Sequence, residues 1–291
     1  MRSLIISCIL FSTFLLTFPA GAQIGRRFPS EKKVVTDPLT GVQQTILTSS
    51  QSGNSKIYNT QRQWTADGKW LVFRSRRVPG ETLAVNEESG DIVQVTEGAY
   101  MGVQTLASKS MMLYFMRMNL RQVGQTKPGP VQIVEVDLDG LFADSEAGQL
   151  KAENEYQRVC GTIPAEVGAG GSMALDAGED WVYYRIGKAE AERRIASGMK
   201  IDANIGPGNM EEGPSGIGKM NIKTGETGLV VILPFQVGTI QANPSVPGEI
   251  VFCRESGDRA PRRSWTVMSD GSGLRPQGAG HGVQGTGRRA Q

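Results

Sequence analysis

Between Gln61 and Gly98 apolar and polar positions alternate over short distances, with turn residues at regular intervals. In "QWTADGKWLVFRSR" the pair Asp67-Gly68 turns the chain, and an apolar strand is predicted from Lys69 to Arg74. "TLAVNEESGDIVQVTEG" follows: Leu83 and Val85 alternate with small or polar partners, Ser89-Gly90-Asp91 turns the chain, and Ile92, Val93 and Val95 bring it back. This order of polar turn, strand, strand, glycine turn and strand predicts an antiparallel meander.

The unit is written again. "SKSMMLYFMRM", "VQIVEVDLDG" and "EYQRVCGTI" form a second copy; "DAGEDWVYYRIG" and "GIGKMNIKTGETGLVVILP" form a third. "VPGEIVFCRESG" and "RRSWTVMSDGSGLRP" begin a fourth, and "VVTDPLTGVQQTILT" near the start is an additional hairpin turning at Thr40-Gly41. "KAEAERRIASGMK" has the composition of a short helix inserted between strands. Units of roughly 40–50 residues with four short strands each are the pattern of propeller blades. Many short strands with turns also suit a β-sandwich. The fixed internal order, with D-G and x-G-x turns at matching places, favours the all-β propeller.

The N-terminus is set apart from this pattern. "MRSLIISCILFSTFLLTFPAGAQ" has a basic Arg2, an apolar run from Leu4 to Phe18 and Ala20-Gly21-Ala22 before Gln23. These are the three regions of a secretory signal peptide, predicted to span 1–22. The alternative is a membrane anchor, but the run is interrupted by Ser, Thr and Cys and is shorter than the roughly 20 residues of a spanning helix. A secreted or periplasmic protein is expected, free of the membrane after cleavage. Cys160 and Cys253 remain, each inside an apolar strand-like run, and read as buried free thiols. No C-x-x-C or Cys/His spacing suggests zinc. The 31 basic and 29 acidic residues give a net charge of +2, and the basic ones are scattered, so no nucleic-acid partner is indicated.

Taken in order, "DPLTGVQQTILT", "QWTADGKWLVF", "GDIVQVTEG", "GKMNIKTGE", "PGEIVFCRESG" and "SWTVMSDGSGLRP" resemble the oligogalacturonate lyases, pectin-degrading polysaccharide lyases. Single pieces such as T-x-D-G-K occur in any TolB-like propeller; their joint order is more specific. The resemblance runs from about Val34 to Pro276 and implies a TolB- or WD40-like propeller, seven-bladed in the family and incomplete here. It sets a partial propeller domain at 23–276 and an aberrant tail at 277–291, which holds the one histidine, His281. An open propeller edge at the break implies self-association.

The resemblance also implies a chemistry. Elimination from a uronate polymer needs a base for the C5 proton, neutralisation of the adjacent carboxylate, and in some cases a proton for the leaving oxygen. Family members meet the second need with a divalent metal, typically manganese, held mainly by histidines at the propeller centre. In "QVGTIQANPS" the relatives carry Gly-His where Gly238-Thr239 stands, so Thr239 occupies a metal-ligand position with a neutral hydroxyl. No manganese is therefore expected on this chain, and its lyase activity is expected to be weak or absent.

Lys56, Arg74, Arg185 and Gln241 fall at strand starts or ends, where a propeller exposes its central face. They are the candidates for holding galacturonate carboxylates, against the alternative of ordinary surface polarity. Tyr58, Tyr114 and Tyr184 read as blade packing. "GAGGS" after Val167 lacks the spacing of a nucleotide cradle, and nothing marks Glu179-Asp180 as a hydrolase pair. Two functions stand open: an oligogalacturonate lyase-like protein of pectin catabolism, acting on oligogalacturonides, or a non-catalytic periplasmic propeller that binds a polysaccharide or a protein.

Overall fold

The computed structural model describes residues 23–118, 129–201, 213–255 and 263–277. The predicted signal peptide, Cys8 and nearly all of the tail, His281 included, lie outside the described residues. Strand β1 (Arg27–Phe28) is followed by a hairpin of β2 (Lys33–Thr36) and β3 (Gln43–Ile46). The first blade then comprises β4 (Asn54–Lys56), β5 (Trp70–Ser75), β6 (Thr82–Asn86) and β7 (Ile92–Gln94), with β1 added outside β7 as a fifth strand.

The second blade holds β8 (Met101–Leu106), β9 (Met112–Met118), β10 (Val131–Asp137) and, after helix α1 (Leu138–Ala147), β11 (Gln157–Ile163). The third holds β12 (Met173–Leu175), β13 (Trp181–Ile186), helix α2 (Lys188–Arg194), β14 (Ser215–Asn221) and β15 (Thr227–Leu233). The fourth holds β16 (Val237–Ala242), β17 (Glu249–Arg254), β18 (Ser264–Met268) and β19 (Arg275–Pro276). Apart from the added β1, strand order in every blade is the chain order, and every pairing is antiparallel. The fold is all-β, a run of propeller blades.

The sequence makes these strands because the second and third blades are buried on both faces, each between two neighbours. Adjacent side chains point to opposite faces, so Phe115 packs toward the first blade while Tyr114 packs toward the third. Tyr184 likewise faces the second blade and Tyr183 the fourth. This is why β9 and β13 read as continuous apolar runs. The Asp67-Gly68 turn forms as its residues predict: Gly68 has φ 73° and donates to Thr65 O, and the Asp67 carboxylate accepts from Lys69 N at 3.1 Å. The outer face of the first blade (Phe73, Val78, Leu83, Val85, Ile92) is covered by Phe28, Leu47 and Leu71.

Helix α1 and the first strand of each blade were not legible in the sequence. Helix α1 begins at the end of "VQIVEVDLDG", which reads as part of the strand pattern with no helix after it. Asp137 instead caps the helix, accepting from Asp139 N and Gly140 N, and Gly148 ends it at φ 67°. Leu138, Leu141, Phe142 and Ser145 lie on its buried face, and Phe142 stacks on Trp70 at 3.9 Å. The first strands of the blades (β4, β8, β12, β16) were missed as repeat members, being short or polar. They are the strands nearest the axis, with β12 packed beside β8 and β16.

Candidate functional site

The inner strands place polar groups around a cavity of about 280 Å³ lined by Tyr58, Ser172, Arg185, Gly238, Thr239 and Glu255, among others. Its fourth-blade wall is shaped by a β-bulge. Val237 pairs with Arg254 and Ile240 with Phe252, so Gly238 and Thr239 together oppose Cys253 alone. A bulge re-aims the residues it contains. Here the Thr239 N–H donates to Cys253 Sγ at 3.1 Å, and the Thr239 hydroxyl meets the Tyr58 hydroxyl, also at 3.1 Å. Behind it, Ile240 N donates to Ser172 Oγ at 2.7 Å. The "GAGGS" segment is a loop, as its sequence predicts, and its Gly170, Gly171 and Ser172 line the same cavity.

Gly238 has a steric reason to be glycine. A Cβ there would lie 1.6 Å from Glu255 Oε1 and 2.6 Å from Cys253 Sγ. The space is taken by a short chain of groups in which the Cys253 thiol donates to Glu255 Oε1 at 3.2 Å. Burial pushes the Cys253 thiol up from its ordinary range, and the Glu255 carboxylate pushes it further the same way. Cys253 is free and partly buried, whereas Cys160 is free and buried, raised by burial to about 11.

The four candidate substrate-holding residues are not gathered on one face. Arg185 lies on the Thr239 cavity, and its buried Nε has no hydrogen-bond partner among the described residues. Gln241 lines a separate cavity of about 300 Å³ with Gln61, Arg62 and Asp176. Lys56 lines a third, also about 300 Å³, beside the first hairpin with Leu47, Leu71 and Phe73. The Arg74 guanidinium is engaged, donating to Lys56 O at 3.1 and 3.2 Å.

Tyr114 and Tyr184 are buried between blades, as read. Tyr58 is not: it is 40% exposed and stands at the cavity. The local sequence did carry a signal, since Tyr58 stands in the polar stretch "SKIYNTQ" whereas Tyr114 and Tyr184 stand in the apolar runs "MMLYFM" and "WVYYRI". Glu255 and Ser172 were also missed, the first behind an ordinary strand end and the second in a glycine loop. Glu179 and Asp180 have structural partners. Glu179 accepts from Ser108 N, Lys109 N and the Ser110 hydroxyl, tying the third blade to the second, and Asp180 pairs with Lys223 at 2.6 Å.

The donors around Thr239 do not fit a manganese ion. Manganese takes carboxylate, imidazole and water ligands. Here the nearest groups are hydroxyls bonded to each other, a protonated thiol, and a carboxylate that shares its cavity with a guanidinium. Among the described residues no group of three or more His, Cys, Asp and Glu could hold a metal ion. Nor is any helix among them long and apolar enough to cross a membrane.

No family model matches the chain, and no curated protein matches its sequence. Solved structures do match. An oligogalacturonate lyase in complex with manganese superposes with a TM-score of 0.63 at 19% identity, over 88% of this chain and 61% of its own. The oligogalacturonate lyase of Vibrio parahaemolyticus superposes with a TM-score of 0.63 at 19% identity, over 87% of this chain and 60% of its own. The chain thus spans about three-fifths of the length of the lyases it matches. At this identity the likeness concerns the fold, and this chain carries the β-propeller architecture of the oligogalacturonate lyases.

Proposed function

We propose that this chain is an exported, lyase-like propeller of pectin breakdown that binds acidic sugars at the Arg185 cavity with little or no elimination. The observation that carries this reading is the Arg185 guanidinium. The Arg185 side chain lines an axial cavity, and its closed-off Nε has no hydrogen-bond partner among the described residues. A buried donor left unpaired costs free energy, and a carboxylate is the group that matches a guanidinium best. A galacturonate carboxylate in the cavity would pair with the guanidinium charge of Arg185. The hydroxyls of Tyr58 and Thr239 stand on the same cavity to meet the sugar's own hydroxyls.

Elimination asks for more than this. Charge must build on the carboxylate while a base removes the C5 proton, and the electrostatic group serving that charge is usually the largest contributor to rate. Arg185 can neutralise the carboxylate, but the Thr239 position offers a hydroxyl already engaged with Tyr58. These 291 residues hold one histidine, so they contribute no set of several imidazoles. These features support binding in preference to turnover.

The test is calorimetric titration of the full chain with galacturonate, with neutral galactose as the control. Galacturonate should bind, galactose should not, and Arg185→Leu should weaken galacturonate by about tenfold or more, the loss expected for a charge-assisted hydrogen bond. Equal binding of galactose and galacturonate, or full affinity in the Arg185→Leu protein, would refute the assignment.

A further inference from the structure

The cavity that holds Arg185 also holds an acid. Glu255 follows β17 and lines the same space of about 280 Å³. The acid is held in place from behind: the Thr239 N–H donates to Cys253 Sγ, and the Cys253 thiol donates to Glu255 Oε1. The missing Cβ of Gly238 makes the room, since Oε1 lies where that atom would be. The other polar groups of the wall are neutral and spent on partners: Tyr58 with Thr239, and Ser172 with Ile240 N. The cavity therefore presents a guanidinium and a separately tethered carboxylate.

A ligand entering this space meets one attraction and one repulsion. Its carboxylate is drawn to Arg185, its hydroxyls can donate to Glu255, and a second carboxylate near Glu255 is disfavoured by like charge. Resting on the reading of this cavity as an acidic-sugar site, we propose that Glu255 is a specificity-determining residue that admits a single uronate ring and selects against a run of consecutive uronates. Selectivity of this kind comes from the repulsive element as much as from the attractive one. A galacturonate joined to a neutral sugar, or standing alone, is the preferred occupant.

The experiment is calorimetric titration of the full chain with galacturonate and with digalacturonate at neutral pH, repeated for Glu255→Gln. In the unaltered protein digalacturonate should bind no more tightly than galacturonate. In the Glu255→Gln protein the affinity for digalacturonate relative to galacturonate should rise about tenfold, the size expected for removing one like charge at close range. A second measurement needs no variant: raising salt screens the repulsion and should lift digalacturonate relative to galacturonate in the unaltered chain. If both sugars bind but their ratio moves neither with Glu255→Gln nor with salt, the selective role of Glu255 is wrong and the uronate site stands. If neither sugar binds the unaltered chain, the uronate site itself is wrong and the selectivity falls with it.

Discussion

Tyr58 and Thr239 are 181 residues apart in sequence, yet their hydroxyls meet at 3.1 Å beside the axial cavity. The contact joins the first blade to the fourth, which share no strand pairing. It also occupies the hydroxyl of the residue that stands where the lyase resemblance places a histidine. A neutral hydrogen bond of this kind contributes about 0.5–1.5 kcal/mol, toward the lower end for a partly exposed pair. Tyr58→Phe and Thr239→Val should each lower the urea midpoint by a small and similar amount, and the double variant should cost no more than either alone if they act only through each other. A fully additive double variant would show that the hydroxyls do not support each other.

Gly238 should tolerate no side chain without rearrangement. Its φ is not in the left-handed region, so the cost of Gly238→Ala is steric: the new methyl would press on Glu255 Oε1 and Cys253 Sγ. Overpacking of this kind costs about 1–3 kcal/mol. Pairing it with Cys253→Ala removes one of the two obstacles, so denaturant unfolding should find Gly238→Ala less damaging in the Cys253→Ala background than alone. Equal damage in both backgrounds would place the strain elsewhere.

Stability should fall at alkaline pH, beginning with the two raised thiols, Cys160 and Cys253. Burial raises the Cys160 thiol from 9.0 to about 11, so the folded chain holds the proton more tightly than the unfolded one. The sign follows from this difference. The contribution is fully present below about pH 9 and is lost as pH rises toward 11. The buried Tyr184 phenol, raised by burial to about 12, adds to the loss only above pH 10. Urea midpoints measured between pH 9 and 10 should decline in the unaltered chain and decline less in Cys160→Ala. An identical slope in both would remove Cys160 as a cause.

The repeat was legible because it rests on local chemistry. D-G turns need no tertiary context, and two-faced burial leaves long apolar runs such as that of β13 in plain view. Helix α1 was hidden because its capping residue Asp137 and the glycine after it also suit a turn. The inner strands were hidden because short polar strands such as Asn54–Lys56 carry no periodic signal. The site was less legible than the fold. Lys56, Arg74, Arg185 and Gln241 each lie near strand ends, but which cavity a strand end reaches depends on blade twist and on bulges such as that at Gly238-Thr239. Arg185 stands at the axis with Thr239, whereas Gln241, two residues beyond Thr239, lines another space. Glu255 gave no sign in sequence, because its importance comes from the empty Cβ position opposite.

Binding without turnover is tested most directly by following the ultraviolet absorbance of the unsaturated product when purified chain is mixed with digalacturonate and manganese. Loss of one positioned electrostatic group commonly costs on the order of 10²–10³ in rate, and among the described residues no donor set suited to the metal surrounds Thr239. The predicted result is no absorbance rise above the rate without protein, with or without manganese, and no recovery on Thr239→His alone. A sustained rise that requires manganese would contradict it, and would show that this chain completes a catalytic site with groups other than those around Thr239.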